Sequence, residues 1–175
     1  MFATLQEKLL EFLRKAWQCS LAMSEANTFY RSTKMKVRFG DCDMFGHLNN
    51  AKFITYMEQA RVDYFRDFPG INFQAPQESV KHSMILAKVV CDYKNPAHMD
   101  EVIDVKIRTS KLGRSSFEME YELVEEKSGR IIATGMTVGV MFDYTAQKSC
   151  PIPEEFRKKF EEVEKREFLN PSSRS

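Results

Sequence analysis

The sequence predicts an α+β domain in which an antiparallel sheet curls around one buried helix. A strand pattern at residues 34–40 leads directly into the most apolar helix pattern of the chain, at residues 51–68. Four further strand patterns follow that helix after a loop. Because each element must cover its apolar face, a strand, one long helix and a four-stranded antiparallel meander together imply a sheet wrapped around the helix.

The predicted central helix has a wide apolar face. Its large apolar side chains recur at three- and four-residue steps: Phe53, Ile54, Met57, Ala60, Tyr64, Phe65 and Phe68. Pro69-Gly70 ends the pattern, because proline lacks the amide N–H that a helix interior requires. We therefore expect this helix to be largely buried.

The strand patterns are the clearest structural signal in the chain. Side chains alternate between two faces in four segments: residues 85–93, 103–110, 117–123 and 131–142. The turns at residues 112–114 and 127–130 are short enough for hairpins. The last strand is apolar on both faces, as a central strand would be, and its Gly135 and Gly139 permit curvature or close approach of another backbone.

Segments on either side of this domain have their own patterns. We divide the chain into residues 1–32, 33–150 and 151–175: an N-terminal amphipathic helix with its linker, the sheet domain, and a C-terminal helix with its tail. The apolar stripe of the N-terminal helix, at residues 2–21, must be covered. Docking on the protein's own assembly is favoured over membrane contact, because the polar face carries both acidic and basic residues.

Charge and cysteine content exclude several functions. The 26 basic and 25 acidic residues are interspersed, so no basic face is available for nucleic acid. The four cysteines are far apart and lack zinc-ligand spacing, which indicates reduced thiols and no metal site. No apolar run approaches the ~20 residues that span a bilayer, and no signal-peptide pattern is found. A cytoplasmic protein without a cofactor is expected.

The turn before the central helix carries the chemistry of the chain. Residues 39–50 place two carboxylates, an imidazole and two amides next to a helix start, whose free N–H groups form a site for developing negative charge. Acyl transfer needs this combination. The alternative is a polar loop in which Asp41 and Asn49 only cap the helix and turn the chain.

Several motifs follow one another in order: Phe39-Gly40-Asp41-Cys42-Asp43 with Gly46, Tyr56-Met57-Glu58-Gln59-Ala60-Arg61, Asp92-Tyr93-x-x-Pro96-Ala97 and Gly113-x-x-Ser116. Together they resemble the 4-hydroxybenzoyl-CoA thioesterase-like family of hotdog-fold acyl-CoA thioesterases. The resemblance covers roughly residues 34–150. It implies the hotdog fold, a curved antiparallel β-sheet wrapped around a long central helix, to which the residue patterns outside the resemblance add N- and C-terminal helices.

The resemblance also assigns catalytic roles. It implies that Asp43 is the essential carboxylate and that the backbone N–H of Asn50 polarises the thioester carbonyl. A helix N-terminal N–H is suited to charge that gathers on the carbonyl oxygen. Asp43 either attacks the acyl carbon or deprotonates a water molecule, and the sequence leaves both routes open. His47 either orients water or the leaving thiolate, or it sets the shape of the loop.

Substrate binding is assigned to one hairpin and one helix residue. Family members often contact the nucleotide and pantetheine arm at the hairpin that carries Lys111, Arg114, Ser115 and Ser116. Ordinary solvated residues are the alternative for this hairpin. One branch of hotdog thioesterases uses a helix carboxylate, for which Glu58 is the candidate, although an ion pair with Arg61 is the favoured interpretation. Asp41 is expected to be a structural anchor.

The predicted function is hydrolysis of an acyl-CoA thioester to free acid and CoA. An acyl-ACP thioesterase keeps the chemistry and changes the carrier, and Gly46-His47-x-Asn49-Asn50 is typical of a subgroup that includes such enzymes. The third hypothesis is a non-hydrolytic hotdog protein, either a hydratase or dehydratase, whose usual catalytic motif is not found here, or a protein that only binds an acyl thioester. Because a hotdog sheet leaves an edge and a cleft exposed, a homodimer or homotetramer with active sites between protomers is expected.

Overall fold

The computed structural model describes residues 28–71 and 82–169, so the predicted N-terminal helix lies outside the described residues. Within them the chain forms an antiparallel sheet of six strands and two α-helices. The elements are β1 (Arg31–Lys36), α1 (Asn50–Phe65), β2 (His82–Tyr93), β3 (Val102–Leu112), β4 (Ser116–Glu125), β5 (Ile131–Asp143), β6 (Lys148–Ser149) and α2 (Glu154–Glu164). Neither described helix is long and apolar enough to cross a membrane.

The strand order is β1-β3-β4-β5-β2, with β6 paired to the end of β5. Both predicted hairpins are present, because β3, β4 and β5 pair in sequence order. The predicted four-stranded meander would pair β2 with β3, and this part of the prediction is wrong. β2 pairs with β5 instead, and β1 pairs with the free edge of β3. This arrangement places the apolar strand β5 inside the sheet, with β4 and β2 along its two edges.

The core lies where α1 packs on the sheet. The helix buries Phe53, Tyr56, Met57, Ala60, Tyr64 and Phe65. A Cβ atom at Gly135 would lie 2.9 Å from the side chain of Met57, and one at Gly139 would lie 2.2 Å from the ring of Phe117. These glycines therefore admit large side chains close to β5, whereas the sequence predicted either strong curvature or the close approach of another backbone.

The first strand and the helix differ from their predicted bounds. β1 begins at Arg31, inside the predicted linker, and it ends at Lys36. Phe39–Asp41 form a 3-10 turn rather than the end of the strand, because the carboxylate of Asp41 accepts the backbone N–H of Arg38 at 3.1 Å. α1 ends at Phe65, ahead of the predicted stop at Pro69-Gly70.

The C-terminal helix α2 packs its apolar side chains into the core beside β3. Its last residue, Glu164, is 4% exposed and accepts hydrogen bonds from the hydroxyl of Tyr64 and the backbone N–H of Thr109, both at 2.6 Å. Burial raises the pKa of the Glu164 carboxyl, although these two donors oppose the shift. The helix end is therefore attached both to α1 and to the sheet.

Candidate active site

The turn between β1 and α1 is folded around the carboxylate of Asp43. Its Oδ1 accepts the backbone N–H of Phe45 at 2.8 Å and that of His47 at 3.4 Å. The N–H of Asp43 donates to the carbonyl oxygen of His47 at 2.8 Å. Gly46 adopts a φ of 78°, which glycine accepts without a steric penalty. The other carboxylate oxygen, Oδ2, has no hydrogen-bond partner within residues 28–71 and 82–169.

The N-terminus of α1 leaves one N–H group uncommitted. The backbone N–H of Ala51 donates a hydrogen bond to the side-chain Oδ1 of Asn49 at 2.9 Å. The backbone N–H of Lys52 donates to the carbonyl oxygen of Asn49 at 2.8 Å. The N–H of Asn50 has no acceptor in the part of the chain that the structure describes. Because the cap satisfies the neighbouring donors, this N–H is the one available to an added carbonyl oxygen or anion.

Asp43 and Asn50 line one cleft of about 510 Å³. The rest of its wall is formed by Leu48, Phe53, Tyr93, Lys94, Asn95 and Pro96. The hydroxyl of Tyr93 donates to the carbonyl oxygen of Asn50 at 3.1 Å, and its ring contacts that of Phe53 edge-on at a centroid distance of 5.0 Å. The end of β2 is thereby attached to the first turn of α1, beside the free N–H.

Asp41, two residues before Asp43, is in a different environment. Its side chain is 3% exposed and accepts hydrogen bonds from Tyr56 and from Arg38 at 3.1 Å, with Lys52 at 3.3 Å. Burial alone would raise the pKa of this carboxyl, but its donors and cations outweigh burial and lower the pKa to about 2. Asp41 therefore holds the turn against α1, as an anchor would.

His47 contributes its backbone to the turn, whereas its ring lies elsewhere. The imidazole packs edge-on against that of His98, with a centroid distance of 5.0 Å, and the two residues form an antiparallel bridge. Its side chain is not among those that line the cleft of Asp43. This arrangement favours the interpretation in which His47 sets the shape of the loop.

The predicted nucleotide-binding residues lie at the end of β3, in the turn that follows it and at the start of β4. The ammonium group of Lys111 pairs with Glu118 at 2.9 Å, and this hydrogen bond raises the pKa of Lys111. The guanidinium of Arg114 is exposed and has no ion-pair or hydrogen-bond partner within the described residues. Ser115 lies in the turn, and Ser116 is the first residue of β4. Arg114 is thus the basic group here that is available to a phosphate.

Glu58 lines a second cleft, of about 230 Å³, together with Arg61 and apolar side chains of α1, β2 and β4. The predicted ion pair between Glu58 and Arg61 is wrong, because no such contact within 4.0 Å occurs in the described structure. Arg61 instead donates to the hydroxyl of Tyr121 at 3.4 Å, across the core. The carboxylate of Glu58 remains exposed at the cleft.

Sequence reasoning missed the role of Tyr93 in the site. The motif Asp92-Tyr93-x-x-Pro96-Ala97 was the available signal, but it does not reveal which group the hydroxyl contacts. Lys94 and Asn95 were also missed as cleft residues. No group of three or more His, Cys, Asp or Glu side chains suited to a metal ion occurs in the described residues.

Comparison with known proteins identifies the family of this fold and site. Residues 37–160 match the sequence profile of the thioesterase-like superfamily. The chain belongs to this superfamily. The match spans β2 to β5, both clefts and the first turns of α2, so the fold and the candidate site belong to the part of the chain that defines the family. The thioesterase class predicted from the sequence is thereby confirmed.

Individual relatives of this chain include two proteins that are named as thioesterases. The chain is 32% identical over 116 residues to the uncharacterised protein YsmA of Bacillus subtilis (strain 168), covering 66% of this chain and 75% of the relative. It is 23% identical over 133 residues to the long-chain acyl-CoA thioesterase FadM of Escherichia coli (strain K12), covering 76% and 98%. A thioesterase from Thermus thermophilus, crystallised with coenzyme A and zinc, superposes with a TM-score of 0.68 at 33% identity, covering 80% and 98%.

Proposed function

We propose that this protein hydrolyses an acyl-CoA thioester to the free acid and CoA, with Asp43 as the catalytic carboxylate and the N–H of Asn50 as donor to the carbonyl oxygen. One observation carries the proposal. The cleft of about 510 Å³ contains a carboxylate with one free oxygen and a helix N-terminal N–H, neither of which has a partner in the described residues. These are the two groups that cleavage of a thioester requires.

The N–H of Asn50 stabilises the tetrahedral intermediate. When a nucleophile adds to the thioester carbon, the carbonyl oxygen gains negative charge, and this N–H with the dipole of α1 interacts more strongly with that charge than with the neutral carbonyl. Tyr93 supports the geometry, because its hydroxyl holds the carbonyl oxygen of Asn50. Collapse of the intermediate breaks the C–S bond and releases the thiolate of CoA.

Two routes to the acid use the free Oδ2 of Asp43. In the first, Oδ2 attacks the acyl carbon and forms a mixed anhydride, which water then hydrolyses to the acid and the original carboxylate. In the second, Oδ2 removes a proton from water, and the resulting hydroxide attacks the acyl carbon directly. Both routes need Oδ1 to be fixed by the turn, as it is by the N–H groups of Phe45 and His47.

CoA is the proposed carrier. The relative FadM is named as a long-chain acyl-CoA thioesterase. The Thermus thermophilus thioesterase was crystallised as a complex with coenzyme A. In this chain, the exposed guanidinium of Arg114 is available to a phosphate of the nucleotide, with Lys111, Ser115 and Ser116 in the same hairpin. Acyl-ACP is the second candidate, favoured by the segment Gly46-His47-x-Asn49-Asn50.

We also propose a homodimer in which two copies share their sites. β2 has 12 residues and pairs with β5 on one side only in the described structure, which leaves an unpaired edge with Leu86 46% and Tyr93 50% exposed. If two β2 edges pair antiparallel about a twofold axis at the middle of the strand, Tyr93 at the end of one β2 lies near the start of the other β2. The Asp43 cleft would then adjoin the second copy's Glu58 cleft, where Glu58 is proposed to contact the acyl group.

Substitution of Asp43 by Asn tests the proposed chemistry. Thiol release from a panel of acyl-CoA esters is measured for the natural protein and for Asp43→Asn, and we expect a loss in kcat of ~10²-fold or more. Asp67→Asn, at an exposed ion pair with Arg31, is the matched control and should keep normal turnover. Near-normal turnover by folded Asp43→Asn would refute the assignment. The same acyl group presented on CoA and on ACP distinguishes the two carriers.

A further inference from the structure

The turn between β3 and β4 is held from outside by the C-terminal segment of the chain. The carbonyl oxygen of Gly113 accepts a hydrogen bond from Nη2 of Arg157 at 2.6 Å, and that of Arg114 accepts the backbone N–H of Ile152 at 2.8 Å. The carbonyls of the next two residues accept N–H groups of β5 and of Gly113 itself. All four successive carbonyls from Gly113 onward are therefore bonded, and two of them are bonded to the segment that begins α2.

Arg157 is an unusual residue to bury for stability alone. It is 8% exposed, and no carboxylate lies within ion-pair distance of it in the described residues. Its Nη1 atom is buried and has no hydrogen-bond partner there. Leaving a charged donor unsatisfied in this way costs free energy, so an apolar side chain of similar length would serve packing better. The one bond that Arg157 does make there through its side chain, to Gly113, points to a role in the turn.

The turn in question presents a free cation. Arg114 is exposed without a partner in the described structure, whereas the neighbouring Lys111 is paired with Glu118. Because the carbonyls on both sides of the Arg114 Cα are bonded to the segment from Ile152 to Arg157, the backbone that carries this guanidinium has little freedom. A cation on an ordered backbone binds a phosphate with a smaller loss of conformational entropy than one on a mobile loop.

We propose that Arg157 is a positioning residue for recognition of the CoA nucleotide, acting through the β3–β4 turn on Arg114. This inference rests on the proposed function, since it takes CoA as the carrier. It gives α2 a function in addition to packing, because the helix positions the guanidinium of Arg157 against the carbonyl oxygen of Gly113 in the turn. Arg157 is not among the residues that line the cleft of Asp43, so we expect its substitution to leave the chemical step unchanged.

Two substrates with the same acyl group separate this role from a structural one. One is the acyl-CoA ester, and the other is the acyl ester of N-acetylcysteamine, which ends before the nucleotide. In Arg157→Met, which keeps the length of the side chain, we expect KM for acyl-CoA to rise about fivefold or more, with kcat and the N-acetylcysteamine kinetics changed less than about twofold. Lys159→Met, on the same helix and paired only with Glu162 in the described residues, should leave both substrates unchanged.

Coupling with Arg114 provides the second test. Arg114→Gln should raise KM for acyl-CoA by a similar factor, and the double variant should be no worse than Arg114→Gln alone, because Arg157 acts through Arg114. Equal losses on both substrates, additive losses in the double variant, or an unchanged KM would overturn the proposal. If Arg157→Met does not fold, Arg157→Lys is used in its place, and its single ammonium should reproduce the selective effect in part.

Calorimetric titration with CoA makes the test independent of hydrolysis. The dissociation constant for CoA should rise in Arg157→Met and Arg114→Gln by the same factor as KM. If the natural protein binds CoA with this dependence on Arg157 but does not cleave acyl-CoA, the proposed function fails and the positioning role stands. If hydrolysis of acyl-CoA depends on Asp43 and CoA affinity is indifferent to Arg157, the positioning role fails alone.

Discussion

Replacement of Asp41 by Asn should reduce stability in a way that depends on pH. In the folded protein the pKa of Asp41 is about 2, against 3.8 for an unperturbed carboxyl. One pKa unit corresponds to about 1.4 kcal/mol, so the folded state favours the ionised form by about 2 kcal/mol. The Asp41 side chain is 3% exposed, but its partners Arg38 and Lys52 are 72% and 37% exposed, so solvent screens these interactions and about 2 kcal/mol is an upper value.

The sign of the pH dependence follows from the lowered pKa. Because the folded-state pKa is lower than the unfolded-state pKa, the stabilisation is fully present above pH ~4 and is lost as the pH falls towards ~2. Asn resembles the protonated carboxyl in charge and shape. The difference in unfolding free energy between the natural protein and Asp41→Asn should therefore be at most about 2 kcal/mol at pH ~7 and should shrink below pH ~4.

Urea unfolding at several pH values between about 7 and about 3, followed by fluorescence, measures this difference. Asp67→Asn is the control, since its exposed ion pair with Arg31 should contribute less than about 1 kcal/mol and show no matching trend. Thiol release is measured in parallel, because the anchor role predicts that folded Asp41→Asn keeps far more activity than Asp43→Asn. A pH-independent difference, or a loss of turnover as large as that of Asp43→Asn, would refute this reasoning.

Three further predictions concern the cleft, the assembly and the N-terminus. Tyr93→Phe removes the hydroxyl that donates to the carbonyl oxygen of Asn50, so kcat should fall severalfold with little change in melting temperature. An unchanged kcat would show that turnover does not depend on this hydrogen bond. Light scattering at micromolar concentration should show a dimer or tetramer. Leu86→Lys on the exposed β2 edge should produce a monomer with lower activity. A fully active monomer would contradict the proposal that active sites are shared between protomers. A chain that starts at Thr28 should melt at lower temperature, with the full-length protein indifferent to liposomes; liposome binding that is lost on truncation without loss of stability would favour a membrane role.

The elements of this fold are readable from local sequence, but the position of β2 in the sheet is not. Alternation of side chains predicts the strands, and short turns predict the two hairpins, because both signals come from neighbouring residues. Whether β2 pairs with β3 or with β5 depends on which edge β1 occupies, and β1 lies far from both in sequence. The apolar pattern of β2 is the same in either position.

The candidate site shows the same division between local and distant information. The turn at residues 39–50 contains Asp43 and Asn50, so a local motif is enough to single them out. Tyr93 reaches Asn50 from 43 residues away, and Arg61 prefers the hydroxyl of Tyr121, 60 residues away, to the nearby Glu58. A spacing of three residues on a helix permits an ion pair but does not exclude a better acceptor elsewhere in the fold.

The two aspartates of the turn illustrate how environment divides roles between identical side chains. Asp41 is surrounded by donors from Arg38, Lys52 and Tyr56, and hydrogen bonds that stabilise a carboxylate also make it a weaker base and a weaker nucleophile. Asp43 accepts only backbone N–H groups within the described residues, on one oxygen, and its second oxygen faces no protein donor there. A carboxylate that reacts must keep an oxygen free of such donors. This difference supports the proposed assignment of the chemistry to Asp43, whereas Asp41 stabilises the turn that carries it.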